Sequence, residues 1–329
     1  MQFNQIAPVD VNGQIQLLAI SMDGRLYHAV RAPGGWTPLA EVVPANGTPA
    51  AGTFFSAAGT GSPDGRLHTV LLAADGAWEA VRAPDGSWGA FTPLPPAVHA
   101  GFTVSAVAVA GTLHLLTGTA DNRIWYTSRP PAGTWTPAVP IPPQEMDLCQ
   151  ITIVAAAGRL QLFASTGWGG RDVYSATQHA AGWDSPTELV AAADAPSAIS
   201  HSYTGGSDGQ VHVILFGGDR VNGSMITNDD GLWHATQAPD GPWSAFTEVQ
   251  KRPAADEWAK VSCVGAADGL HVLVATGPGR IWYTSGRPTG PWTPLVEVPQ
   301  PAELLNRQVA GPHYGPGRVG AGGDPILGK

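Results

Sequence analysis

The chain has 329 residues, among them 42 Gly and 30 Pro, and only 13% of it is charged. That composition predicts many short elements joined by tight turns and excludes long charged helices, while 12 Trp exclude a disordered chain, because so much apolar surface can offset the entropy lost on folding. A net charge of −9 with only three lysines, Lys251, Lys260 and Lys329, excludes a nucleic-acid backbone as partner, and no run of 18 apolar residues is present to span a membrane.

The elements follow one another as six copies of one unit. The first, residues 2–44, runs through QIQLLAI from Gln14, a turn at Asp23-Gly24 and GRLYHAVRAPGGWTPLAEV from Gly24. The second, 52–95, has RLHTVLL from Arg66 and GAWEAVRAPDGSWGAFTPL from Gly76. In the third, 101–141, FTVSAVAVA from Phe102 precedes TLHLLTG from Thr112 and NRIWYTSRPPAGTWTPAVPI from Asn122. RLQLFAS from Arg159 and RDVYSATQHAAGWDSPTELV from Arg171 make the fourth, 148–190, and QVHVILF from Gln210 with GLWHATQAPDGPWSAFTEV from Gly231 the fifth, 198–249. The sixth, 259–298, reads KVSCVGAA from Lys260, LHVLVAT from Leu270 and GRIWYTSGRPTGPWTPLVEV from Gly279. Residues 301–329 form a Gly-rich remainder, read as a closing strand near 306–310 with a loose tail, the start of a seventh unit, or a linker.

The first aromatics of the copies, Tyr27, Trp78, Trp125, Tyr174, Trp233 and Trp282, are spaced by 51, 47, 49, 59 and 49 residues. A second aromatic, always Trp, follows nine or ten residues later. Each unit reads as four strands separated by Asp-Gly turns, and four antiparallel strands repeated six times predict an all-β fold, a six-bladed β-propeller of four-stranded antiparallel blades. Cys149 and Cys263 are too few for a disulfide framework and are read as buried thiols. The N-terminus, MQFNQIAPVDV, lacks the features of a secretory signal, which fits a cytoplasmic protein or export by another route.

The repeats also nominate a site. With a two-residue turn at Asp23-Gly24, Gln16 pairs with Arg31, and the same arithmetic with small slips pairs His68 with Arg82, His114 with Arg129, Gln161 with Gln178, His212 with Gln237 and His271 with Arg287. The fourth-strand Trp36, Trp88, Trp135, Trp183, Trp243 and Trp292 would complete a row on one face of each blade. Indole faces pack on the C–H side of sugars and planar donor groups fork onto vicinal hydroxyls, so the row suits carbohydrate. It equally suits a sealed interface in which Arg stacks on Trp and His or Gln satisfies backbone groups. Glu41, Glu188, Glu248 and Glu297, five residues after Trp, are expected in solvated ion pairs near Arg25 and Arg280.

Phrases such as GRLQLF followed by VYSATQ, and DGLWHATQAPDGPWSAFTEV, resemble the tectonin-like and bacterial fucose-binding propeller lectins of the Photorhabdus lectin type, over about residues 2 to 300. The resemblance implies glycan recognition in clefts between adjacent blades, often of fucosylated or methylated sugars, with no cofactor. The chain departs from that pattern in carrying Gln or His on the second strand where an acidic residue is more usual, and in lacking the arginine, glutamate and aromatic set in order. Two other readings stand beside it: an enzyme with one pocket in the central channel or near the irregular blades 4 and 5, and a protein-interaction scaffold. No HExxH or CxxC metal spacing is present. Blade 4 inserts around Trp168-Gly169-Gly170 and blade 5 from Gly217 to Asp230, and His179, His201 and Tyr203 have no counterparts in the other copies.

Overall fold

The computed structural model describes residues 2–43, 54–96, 101–142, 148–166, 172–189, 197–218, 231–239, 241–251, 258–277 and 279–301. They form six antiparallel sheets, each made of one sequence unit with its strands in chain order. In blade 1 these are Phe3–Val11, Gln14–Ser21, Leu26–Ala32, and an outermost strand split into Gly35–Trp36 and Ala40–Glu41. The innermost strands of the other blades are Phe54–Gly61, Gly101–Val109, Leu148–Ala156, Ser197–Gly205 and Trp258–Ala266. Each innermost strand packs against the next, and that of blade 6 against that of blade 1, so the sheets close into the expected six-bladed ring. The strand expected near 306–310 lies outside the described residues.

Apolar alternation along the strands builds the core between blades rather than inside any one of them. Six buried clusters each join two neighbours. Leu18, Ile20 and Leu26 of blade 1 meet Phe54, Leu67 and Leu71 of blade 2, and the last cluster joins Tyr27 and Leu39 of blade 1 to Leu273, Ile281 and Tyr283 of blade 6. A sheet buried on both faces in this way needs a neighbour on each side, which is why no single repeat is stable alone.

The inner strands expose an unpaired edge to the channel, and side chains satisfy it. Ser105 Oγ accepts a hydrogen bond from Ile153 N (3.0 Å), Ser200 Oγ from Val261 N (3.1 Å) and Ser202 Oγ from Cys263 N (3.0 Å), in each case from the following blade. On blades 3 and 5 these small hydroxyls are therefore inter-blade acceptors. Gly61, Gly205 and Gly265 stand at one level of the ring, where a Cβ would strike the carbonyl of Asp10, Ala155 and Gly205 respectively.

The Trp-Thr-Pro phrase has a similar origin. After Trp36 the fourth strand bends away at Pro38, and Thr37 Oγ1 takes the hydrogen bond of Val30 N (2.9 Å) that a strand carbonyl would otherwise accept. Thr136 and Thr293 do the same for Ser128 N and Ser285 N, at 3.0 and 2.9 Å.

The register departs from the sequence arithmetic. In blade 1 Ser21 N bonds Arg25 O (3.0 Å) and Gly24 N bonds Ser21 O (2.9 Å), with Gly24 at φ 77°. The loop is thus Met22-Asp23-Gly24, three residues closed by a left-handed bulge residue, and not a two-residue turn. Gln16 consequently pairs with Val30, and in the other blades His68 pairs with Val81, His114 with Ser128, Gln161 with Thr177, His212 with Thr236 and His271 with Ser285. A one-residue slip turns a side chain to the other face, so the expected three-strand row within one blade does not exist. Its outer half does: Arg31 pairs with Trp36, Arg82 with Trp88, Gln178 with Trp183 and Gln237 with Trp243. In blade 6 Trp292 is opposite Gly286, leaving Arg287 one place beyond and exposed. Cys263 is buried as expected, but Cys149 is exposed on the channel wall, because its strand begins at the mouth of the ring.

Candidate functional site

The two halves of the predicted row are reunited across the clefts between blades. On each second strand the His or Gln lies beside a third-strand residue two places from its direct partner. Gln16 Oε1 accepts from His28 Nε2 (2.8 Å), His68 Nδ1 lies 3.1 Å from Glu79 Oε1, and His114 Nδ1 is 2.8 Å from Tyr126 Oη. His212 Nδ1 and His234 Nε2 are 3.1 Å apart. His271 donates from Nε2 to Asp268 (2.8 Å), so its Nδ1 accepts from the Tyr283 hydroxyl at 2.7 Å. In blade 4, Gln161 Oε1 is buried without a protein partner among the described residues.

These pairs form the floor of the cleft, and the Arg or Gln and Trp of the following blade form its wall. The His28 ring meets Trp88 edge to face at 5.5 Å, Tyr126 meets Trp183 at 5.4 Å, His234 meets Trp292 at 6.0 Å, and Tyr283 meets Trp36 at 5.3 Å. Trp243 packs instead on Phe163 and Tyr203, at 6.3 and 6.2 Å. Three floors are sealed, with Gln16, His212 and His271 at most 2% exposed, whereas His68, His114 and Gln161 are half-buried, as are Arg82, Trp88, Arg129, Trp135, Gln178, Trp183 and Gln237 nearer the rim. The clefts therefore grade from a closed polar floor to an accessible rim. The indole N–H groups of Trp36, Trp135 and Trp183 have no acceptor among the described residues.

The cleft between blades 2 and 3 stands apart. Its floor carries a carboxylate, Glu79, which accepts from Arg129 Nη1 at 2.7 Å and Nη2 at 2.6 Å. The guanidinium also lies 3.1 Å from His68 Nδ1 and 5.0 Å from the centre of the Trp135 ring. Burial would push the Glu79 carboxyl up, but hydrogen bonds from His68 and Arg129, with the Arg129 charge, outweigh it and hold the group below its ordinary value. An arginine, a glutamate and an indole are thus brought together here from two blades. Sequence reasoning placed Arg129, His68 and Trp135 and missed Glu79. The signal was present: at the inward third-strand position the other copies have His28, Tyr126, Ser175, His234 and Tyr283, and Glu79 is the only acid of the set.

Two other floors present imidazoles held neutral. Burial first, and the nearby Arg82 charge second, lower the His28 imidazole to about 3, and burial lowers His234 to about 4. The expected ion pair of Arg25 with Glu41 is present at 3.0 Å on the exposed side of blade 1.

The central channel encloses about 760 Å³ and is lined by the innermost strands. Lys260 reaches across the ring closure to donate to the carbonyl of Asn4, and burial lowers its pKa. His201, lowered to about 4 by burial, contacts Tyr203, which stacks on Phe163 at 4.3 Å, so both are core residues. His179 is an exposed partner of Asp184 (2.8 Å). The blade 4 insertion and, beyond Gly218, that of blade 5, including Asp219, Arg220 and Met225, lie outside the described residues. Among the described residues no group of three or more His, Cys, Asp or Glu could hold a metal ion.

No protein-family model matches the chain, and no curated protein sequence does. Solved structures do match. AofleA from Arthrobotrys oligospora shares 13% identity at a TM-score of 0.61, over 89% of this chain and 85% of that one. The BP39L lectin from Burkholderia pseudomallei shares 16% at 0.58, over 90% and 84%. A fungal lectin from Aleuria aurantia, described as a six-bladed β-propeller with a novel fucose recognition mode, shares 13% at 0.59, over 90% and 96%. At these identities the likeness establishes the shared six-bladed fold.

Proposed function

We propose that the protein is a multivalent, non-catalytic glycan-binding propeller that takes sugars in the clefts between blades. The observation that carries this reading is the Glu79, Arg129, His68 and Trp135 assembly between blades 2 and 3. Its guanidinium, half-buried at the rim and held in place by the buried Glu79 carboxylate, offers planar donors to vicinal hydroxyls, and the half-buried Trp135 indole offers an apolar face. Support comes also from the structural neighbours, of which SapL1 was solved in complex with alpha methyl fucoside and the Aleuria aurantia protein is described as a fucose-specific lectin. Fucosides are accordingly the first ligands to offer, with methylated sugars beside them. Several modest sites on one rigid ring would bind a repeated glycan with avidity.

The test is a glycan array followed by titration calorimetry with methyl α-L-fucoside. Trp135→Ala is expected to weaken binding at this cleft by about tenfold, equivalent to about 1.4 kcal/mol, with the melting transition retained. Unchanged affinity and stoichiometry would remove this cleft from the binding surface, and a folded protein blank on the array would overturn the reading.

A further inference from the structure

The cleft between blades 1 and 2 has the same framework as its neighbour with one decisive exchange. Where Glu79 meets Arg129, the equivalent floor residue is His28, and the equivalent guanidinium is that of Arg82. His28 Nε2 is committed to Gln16 Oε1 (2.8 Å) and the ring is neutral, so it offers Arg82 no countercharge. Among the described residues no carboxylate lies within ion-pair distance of Arg82. Asp85, the acid that acts on it, is exposed and accepts instead from Ser87 N (2.9 Å) and Ser87 Oγ (2.7 Å). The guanidinium is half-buried and lies over Gly86, where a Cβ would be 3.0 Å from Nη2. A partly desolvated guanidinium without a carboxylate is an unfavourable arrangement that an anionic ligand relieves, and its planar fork fits a carboxylate in two-point contact. Trp88 is paired directly with Arg82, so the indole and the fork share one face at the spacing of neighbouring side chains.

We infer that the blade 1/2 cleft binds a saccharide bearing a carboxylate, the ligand supplying to Arg82 the group that Glu79 supplies to Arg129 next door, with the sugar ring lying on Trp88. This inference rests on the glycan-binding reading proposed above and divides its clefts by charge: neutral sugars at blades 2 and 3, acidic sugars at blades 1 and 2.

The experiment is titration calorimetry of the intact protein with methyl β-D-glucuronide and methyl β-D-glucoside, which differ only in a carboxylate against a hydroxymethyl group. The glucuronide is expected to bind about tenfold or more tightly than the glucoside, the range of a charge-assisted hydrogen-bond pair. Arg82→Gln should abolish that preference. His28→Glu should abolish it too, by placing a protein carboxylate within reach of Arg82, and this variant tests the idea without removing the arginine. Arg25→Gln, which deletes one positive charge at the exposed ion pair with Glu41, should leave the preference intact. Equal binding of the two glycosides, or a preference that survives Arg82→Gln in a folded protein, would overturn the inference. If methyl α-L-fucoside binds while the glucuronide does not, the charge division fails alone. If neither binds, the glycan reading and this inference fail together.

Discussion

The clefts between blades 2 and 3 and between blades 3 and 4 share one backbone plan and differ at two side chains. In the first, Glu79 and Arg129 make a two-point ion pair over His68; in the second, Tyr126 and Gln178 occupy the same places and the Tyr126 hydroxyl meets His114. Trp135 and Trp183 close both. The scaffold tolerates either chemistry because strand pairing and the inter-blade apolar clusters, and not the floor residue, hold the blades together. A charged floor is strong only while both partners remain, whereas a neutral floor loses little when one group is trimmed.

The sharpest break of that comparison is Arg129→Ala. It leaves Glu79, only 4% exposed, without its cation and is expected to lower the unfolding free energy by about 3–5 kcal/mol, read by denaturant titration. Glu79→Gln combined with Arg129→Gln should recover most of the loss; a cost below about 1 kcal/mol for the single change would mean that the pair does not hold a charge in the fold. This is also why Trp135→Ala is the better probe of binding.

Acid separates the floors next. A histidine whose pKa is lowered by folding stays neutral in the native state while the unfolded chain takes up a proton, so its contribution is full above the ordinary value of 6.5 and is lost as pH falls toward the folded value. For His28 that window runs from 6.5 down to about 3, at about 1.4 kcal/mol per pH unit. His28→Gln should therefore flatten the fall in stability between pH 6.5 and 4. Glu79, lowered by its partners, contributes fully above its ordinary value of 4.5 and loses that contribution as pH falls from there through its lowered value, so its cleft weakens over that more acid range. A pH profile of melting unchanged by His28→Gln would contradict the neutral floor.

The smallest effect is expected from Tyr126→Phe. It removes one hydrogen bond to His114 and keeps the ring against Trp183, costing about 1 kcal/mol in the same titration. A cost as large as that of Arg129→Ala would show that the neutral floor between blades 3 and 4 holds its blades as strongly as the charged floor does.

Much of the fold was legible because its signals are local. Paired aromatics at a fixed separation, Asp-Gly turns and alternating apolar strands repeat six times, and each repeat reports on itself. The site was half legible. Arg82, Arg129, Gln178, Gln237 and the tryptophans were placed correctly beside one another, since the turn between them is short and its register shows in the spacing. The second-strand Gln and His lie one place off the expected register; in blades 1, 3 and 6 the reason is that a three-residue loop such as Met22-Asp23-Gly24 and a two-residue turn look alike in sequence and differ by one residue in register. Cys149 was read as buried from its residue type, yet its exposure depends on where the strand opens into the channel.

By itself the sequence determined the number of blades, the strands in each and, outside blade 6, the placing of Arg or Gln beside Trp, because backbone propensity and short turns are properties of contiguous residues. Only the tertiary structure decided that Glu79 meets Arg129, that His28 leaves Arg82 without a counterion, and that Ser105 and Ser200 cap the next blade's edge. Those contacts join residues about 50 or more apart on different sheets, and ring closure sets their distances.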